Sequence, residues 1–390
     1  MRYGFKDVVI DSRTGLNPRK NFVLGSGENN YITIKDIYNG QINITDKTDK
    51  VDDDAIQIIK KRSRIKIGDI LFVSIGRIGE TAIVTAKDDT WDVNESVFVF
   101  TVNRKIITPE YFCILFQSDA VKKYLTENSS GSTFKSIKMN QLEKMVFDLP
   151  SLTIQEAITE KLSKVKKIIN LRTSELIHFD DLIKARFVEM FGTIHENNYG
   201  YEIKTIQDVC EQIKDGTHQT PTYTDDSTNG FKFLSSKDVT SGKIDWSHLK
   251  YIPEALHNEL HARIAPQKGD VLLAKNGTTG IAAIVDKDEV FDIYVSLALL
   301  RPKEIDSTYL WGAVNALETK EQFDASLKGI GVPNLHLGEI KKTRIIVPPI
   351  ERQKEFATFV AQVDKSKVVV QKALDETQLL FDSLMQQYFG

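Results

Sequence analysis

The chain has 390 residues, 41% of them hydrophobic and 27% charged, with a formal net charge of −3 and two cysteines, Cys113 and Cys210. That length suits two domains, each with a core of its own, and the mild acidity excludes a uniformly basic nucleic-acid binder while allowing positive charge on one surface. Two cysteines are too few for a disulfide scaffold and read as buried thiols. No apolar run approaches the ~20 residues of a bilayer span, and MRYGFKDVVIDSR lacks a signal-peptide core, so no membrane partner and a cytoplasmic location are expected.

The first ~150 residues carry short β-branched or aromatic runs between Gly, Asn and Asp, the pattern of a mainly β domain with long loops. These runs are YITIKDI, GQINI, DILFVSI, TAIVTA and ESVFVFTV. The loop before them holds Arg13, Asn17, Arg19 and Lys20. GSGENN at 25–30 has two glycines of a dinucleotide fingerprint but Asn30 at the third place, so it reads as a turn. Asp52-Asp53-Asp54 reads as a solvated loop. KKRSRIK, with Lys60, Lys61 and Arg62, is either a phosphate-facing strip or a solvated edge. VSIGRIGETAIV places Arg77 between Gly76 and Gly79, as a backbone-clamping loop or a tight turn. TPEYFCILFQSDAVKKYL predicts a helical segment, and Lys135 and Lys138 follow GSTF.

After Pro150 glycine and proline vanish, and apolar residues recur at alternating spacings of four and three. One row holds Ile158, Val165 and Phe179 with Arg172 and Arg186; the other holds Leu162, Ile169, Leu176 and Ile183. Heptads sustained in this way predict a coiled-coil partner rather than a solitary surface helix, with the polar members snorkelling from the seam.

The second half repeats the first. A shift of 201 sets Gly15 on Gly216, Gly68-Asp69 on Gly269-Asp270, Gly76 on Gly277 and Gly79 on Gly280. A shift of 198 sets Pro150 on Pro348 and Gln155 on Gln353. The second helix brings Phe356, Val363, Val370 and Leu384 in one row, and Val360, Leu374 and Phe381 in the other, with Lys367 and Thr377 among them. The simplest burial for both seams is an antiparallel pair. The expected fold is α+β, a pseudo-twofold tandem duplication with domains at 1–149 and 193–347 and long helices at 150–192 and 348–390.

Catalytic signatures are missing: no P-loop, no G-x-S-x-G, no cysteine with a local histidine. HNELH sets His257 and His261 around Glu259, but a zincin needs the glutamate next to the first histidine, so it reads as a polar surface turn or helix and no metal site is expected. Glu202-x-Lys204 and Glu318-x-Lys320 offer only the E-x-K fragment of a nuclease. An acidic-site nuclease and a KH-like RNA clamp remain the rival readings; the clamp needs helices beside each G-x-x-G turn, where strand-like runs stand.

The repeated GDILFVSIGRIG and GDVLLAKNGTTG stretches, alternating with LPSLTIQEAI and VPPIERQKEF helix entries, resemble the specificity subunit of a type I restriction-modification system over the whole chain. The resemblance implies two target recognition domains, each reading half of a bipartite asymmetric sequence in double-stranded DNA. It implies a coiled coil that sets their spacing and docks two modification subunits, alongside restriction subunits carrying nuclease and motor. It implies no catalysis and no cofactor on this chain, with S-adenosylmethionine, ATP and Mg on the partners. The family usually carries a little more chain before the first recognition domain, so the docking surface there is expected to be shortened or completed by the end of the other helix. The recognition residues expected are those named above in the first copy, and in the second Thr217, His218, Gln219, Thr222, Lys275, Asn276, Thr278, Thr279, Asn334 and His336. Phosphate contacts should supply most affinity and base edges the choice.

Overall fold

The structure is a computed structural model and describes residues 1–19, 21–131, 134–327 and 333–390. It divides into two compact units, Met1–Arg172 with Ala373–Gly390, and Thr173–Lys372. The two long helices, Leu152–Phe191 and Ile350–Phe389, are 40 residues each. The units cut through both helices, so each unit is one β-rich domain with half of each helix, and the compact bodies do not coincide with the four expected segments.

In the first unit a four-stranded antiparallel sheet runs in the order Val9–Thr14, Val97–Val102, Ile70–Val73, Thr81–Ile83. Ile70–Val73 is buried on both faces: Ile70 and Phe72 pack with Phe100 and Phe112, while Leu71 and Val73 pack with Ile32 and Val93. A strand covered on both sides reads as an unbroken apolar run, which is why DILFVSI shows no alternation. The covering layer is a three-stranded sheet of Asp49–Val51, Asn29–Ile32 and Trp91–Val93, the last pair parallel. The second unit repeats both sheets, with Cys210–Asp215, Leu297–Pro302, Val271–Ala274 and Ala282–Ile284 in one, and Lys250–Ile252, Phe231–Leu234 and Phe291–Ile293 in the other.

Each domain is clasped where its chain enters and leaves: Arg2–Gly4 pairs with Val146–Asp148, and Glu202–Thr205 with Arg344–Val347. The predicted helical segments are each two helices, Pro109–Leu115 with Asp119–Asn128, and Ser307–Asn315 with Leu317–Ser326.

Two stretches fold otherwise than expected. KKRSRIK begins inside a helix: Lys60, Lys61 and Arg62 form the last turn of the helix Asp53–Ser63, with Lys61 and Arg62 exposed. Asp52 is its N-cap, its carboxylate accepting from Ala55 N at 2.8 Å, so the acidic triplet is a helix start rather than a solvated loop. HNELH lies in a helix, Glu254–Arg263, one of its two expected forms, but His257 is buried rather than superficial.

Within each unit the helix halves run antiparallel. In the first, Lys161 Nζ donates to Tyr388 Oη at 3.2 Å, and Arg172 donates to Ala373 O and Thr377 Oγ1. Rising numbers on one helix thus meet falling numbers on the other. In the second, Lys367 pairs with Asp180, and Phe187 stands 5.4 Å from Phe356 between ring centres. Ile158, Leu162, Val165, Ile183, Phe356, Val360, Val363 and Leu384 are buried; Ile169, Leu176, Phe179, Val370, Leu374 and Phe381 are half-buried. Arg172 does not snorkel to water but bonds across the seam. Among the described residues no helix is long and apolar enough to cross a membrane.

Candidate nucleic-acid interface

The retained glycines explain where each domain can present loops. Gly15 and Gly216 pass so close to the parallel strand that an added Cβ would lie 1.7 Å from Val93 O and 1.9 Å from Ile293 O. No other residue fits that crossing. Gly76, Gly79, Gly277 and Gly280 all have positive φ, +75°, +94°, +78° and +79°, between flanking antiparallel strands. Tight turns follow, and a KH arrangement does not.

A chain of backbone hydrogen bonds gathers distant segments into one edge. In the second domain Val295 N donates to Thr217 O at 2.9 Å, Lys275 N to Ser296 O at 2.9 Å, and Leu335 N to Lys275 O at 2.8 Å. Asn276 and Asn334 face each other as a bridge. In the first domain Gly76 N donates to Lys135 O at 2.9 Å and Ile137 N to Ser74 O at 2.9 Å. The glycine turn and the segment around Lys135, some 60 residues apart, therefore share one rim, and the segment around Asn334 joins the second glycine turn in the same way. His218, Gln219, Thr222, Thr278 and His336 are exposed, with Thr279, Asn276 and Asn334 half-buried. The amide oxygens of Asn276 and Asn334 are buried without a hydrogen-bond partner among the described residues. In the first domain Arg19, Lys61, Arg62, Arg77, Lys135 and Lys138 are exposed and Asn17 half-buried. Such a rim offers amides, hydroxyls, imidazoles and cations, the groups that reach phosphates and base edges.

Several expected contact residues are engaged inside the domains instead. Arg13 is 7% exposed; its guanidinium donates to Asp69 Oδ2 at 2.9 Å, Thr101 Oγ1 at 2.6 Å and Arg64 O at 2.6 Å. In the second domain the matching carboxylate, Asp270, takes its arginine from another strand, with Arg301 Nε and Nη2 each donating at 2.8 Å. Both arginines answer one need, a cation for a buried carboxylate. Lys275 is 4% exposed with Asp215 Oδ2 3.4 Å away. Thr217 is buried, and Lys60 is held by Asp89 at 2.5 Å. These four have little surface to offer a duplex, which corrects the expectation for Arg13, Thr217, Lys60 and Lys275. Arg77 stays exposed, yet its Nη2 donates to Ile34 O at 2.8 Å and Ile37 O at 3.0 Å, tethering the turn to a neighbouring loop. His218 Nε2 lies 3.2 Å from Asp215 Oδ2. Lys20 lies outside the described residues, as do most of the GIGVP residues before Asn334.

In the sequence the glutamine of each helix entry stands out only as a repeat match; the structure gives it a role. Gln155 is fully buried, its Oε1 accepting from Thr108 N at 3.1 Å and its Nε2 donating to Ile106 O at 2.8 Å and Pro150 O at 3.0 Å. Gln353 accepts from Asp306 N at 2.8 Å and donates to Pro348 O at 2.7 Å. Thr108 and Asp306 are the N-caps of the helices that follow, so each glutamine fastens a long helix to its domain.

The glutamates of the E-x-K fragments are engaged in structural contacts: Lys204 pairs with Glu202 at 3.1 Å, and Glu318 accepts from the distant Ile194 N at 3.1 Å. Burial pushes the thiols of Cys113 and Cys210 up to about 12, which leaves them protonated and unreactive at neutral pH.

The family model for the type I restriction modification DNA specificity domain matches twice, at residues 5–178 and 198–377. The type I restriction enzyme MjaVIII specificity subunit of Methanocaldococcus jannaschii is 22% identical over 284 residues, 68% of this chain and 66% of the relative. The EcoBI specificity subunit of Escherichia coli is 23% identical over 294 residues, 68% of this chain and 62% of the relative. The chain thus spans just under two thirds of the length of these two relatives. The fold matches the S subunit of a type I restriction-modification system from M. genitalium with a TM-score of 0.55 at 14% identity, covering 100% of this chain and 96% of that one. Two matches that together take in both β-rich domains and most of both helices settle the membership: the chain belongs to the type I restriction-modification DNA specificity family and carries its domain twice.

Proposed function

We propose that this chain is the DNA sequence-specificity subunit of a type I restriction-modification complex. Each β-rich domain reads one half of a bipartite, asymmetric target in double-stranded DNA through its rim, and the helix pair sets the unread spacer. The observation that carries this is the retained frame with exchanged contents. The rim glycines, the buried carboxylates and the helix-entry glutamines recur, while Arg77-Ile78 is replaced by Thr278-Thr279 and Lys135 by Pro333. Two readers of different half-sites need that combination, and a palindromic or non-specific binder does not.

The chain itself is non-catalytic and carries none of the cofactors of methylation or cleavage. S-adenosylmethionine, ATP and Mg belong to the two modification subunits and the restriction subunits that assemble on it. Apolar side chains outside the seams support docking on the helices: Leu171, Leu379 and Leu380 are exposed in the first unit, and Ile177, Val368 and Val369 in the second. The neighbouring pairs Leu379-Leu380 and Val368-Val369, exposed on a helix already paired along its seam, support a partner surface there.

The test exchanges Thr278-Thr279 for Arg-Ile and maps methylated adenines in cells that express the chain with its modification partner. The expected result is a changed or relaxed base choice confined to one half-site. An unchanged methylation map with unchanged occupancy would remove the second rim from recognition.

A further inference from the structure

The second domain buries a carboxylate between two histidines. Asp292, on the strand Phe291–Ile293, is 1% exposed. Its Oδ2 lies 2.7 Å from His257 Nδ1, and its Oδ1 lies 3.5 Å from His261 Nδ1. The histidines stand four residues apart on the helix Glu254–Arg263, so one helix face brings both to the strand. The three donor atoms lie within 4.8 Å of one another. Asp292 Oδ1 and His261 Nδ1 are both buried without a hydrogen-bond partner among the described residues. The Phe231 ring stacks on His257 at 3.7 Å with 6° between planes, which fixes the imidazole.

The first domain shows what this position requires. Asp92 occupies the same place and is equally buried, at 0% exposure. At the helix positions of His257 and His261 stand Ile56 and Lys60, and Lys87 Nζ lies 4.0 Å from Asp92 Oδ2. A buried carboxylate needs a cation close by. The first domain brings ammonium groups to it, and the second brings two imidazoles, whose ring nitrogens are metal ligands when neutral.

We propose that His257, His261 and Asp292 form a site for a late first-row divalent cation, with zinc the best match. Zinc takes imidazole nitrogen and carboxylate oxygen at roughly 2.0–2.2 Å, which sets tetrahedral donors about 3.3 Å apart. Two of the observed separations, 2.7 and 3.5 Å, bracket that value; all three donors lie within 4.8 Å of one another, so seating the ion draws the two imidazoles together. Binding displaces the hydrogen between His257 Nδ1 and Asp292 Oδ2, to Nε2 or to solvent, because a ligating ring nitrogen must carry none. The His261 side chain, 31% exposed, gives the entry path and leaves a fourth position for water. The ion ties the helix to the strand and so stiffens one domain of the pair and not the other.

The test uses the full chain without a histidine tag. Cobalt(II) titration is followed by visible absorption and zinc by calorimetry, in parallel with His261→Ala, Asp292→Asn and, as a control, His178→Ala on an exposed helix face. One equivalent should bind, with a tetrahedral cobalt spectrum. Affinity should fall at least tenfold in His261→Ala and Asp292→Asn and stay unchanged in His178→Ala, with circular dichroism showing each variant folded. Zinc should also raise the thermal midpoint of the parent and not of His261→Ala. No saturable one-to-one binding, or equal affinity in the parent and His261→Ala, overturns the proposal and leaves the cluster as a hydrogen-bonded carboxylate–histidine group.

Discussion

Replacing Gln155 by leucine removes the side chain that fastens the first long helix to its domain while keeping its bulk. Three backbone groups lose their partner: Thr108 N–H, Ile106 C=O and Pro150 C=O. Each sits beside a fully buried side chain, where an unmade hydrogen bond costs about 1 kcal/mol net and more when no water can reach it. The expected loss is about 3 kcal/mol for the first unit. Gln353→Leu removes two bonds, to Asp306 N and Pro348 O, for an expected loss of about 2 kcal/mol in the second unit. Urea unfolding gives the sums, and hydrogen exchange at the Thr108 and Asp306 amides reports which domain opens. A loss under about 0.5 kcal/mol in both variants, with those amides still protected, would refute the reasoning that the helix-entry glutamine is a structural fastening.

Arg13→Ala leaves Asp69 charged and buried, and breaking a buried pair in this way costs about 3–5 kcal/mol; denaturation should show this loss, and part of it should return in the Arg13→Ala/Asp69→Ala double variant. Stability at the parent level with weakened DNA binding would restore Arg13 to the interface. Asp92 gives a pH signature: burial pushes its carboxyl up, above the unfolded value of about 3.9, so the folded unit holds the proton more tightly than the unfolded chain. Stability of the first unit should therefore fall as pH rises from about 4 through the folded value, and Asp92→Asn should remove that part of the slope in urea midpoints measured across the range. Identical slopes in parent and variant would contradict the assignment.

The duplication, the glycine turns and both helix seams were legible because each rests on local rules: spacing, backbone freedom and heptad period. The helix Asp53–Ser63 was hidden by its cationic end, although Asp52 is a good N-cap and Ala55, Ile56 and Ile59 form its buried face. Arg13 was misread because a positive charge in a loop-like context suggests phosphate. The strand's own alternation held the signal, since Val9 and Arg13 are buried while Ile10 and Ser12 face out. His257 was missed because its partner, Asp292, lies 35 residues away on a strand that only the packing of the helix against the sheet brings near. Which rim groups come together was likewise beyond local rules, because bridges such as Asn276 to Asn334 join segments separated by whole helices.

The arginine that answers each buried carboxylate constrains how such domains can be recombined. Arg13, Asp69 and Thr101 form one compatible set, and Lys214, Asp270 and Arg301 another. A chimera crossing over in the glycine turn, first copy before it and second copy after, would set Arg13 and Arg301 against the single carboxylate of Asp69. The reciprocal chimera would leave Asp270 facing a threonine. Intact domains can be traded between relatives without that conflict, because every member of a set travels together. New specificities in this family should therefore arise by exchange of whole readers far more readily than by mosaics within one, and libraries built with junctions at Leu149 or Val347 should fold where those cut at Gly76 or Gly277 do not.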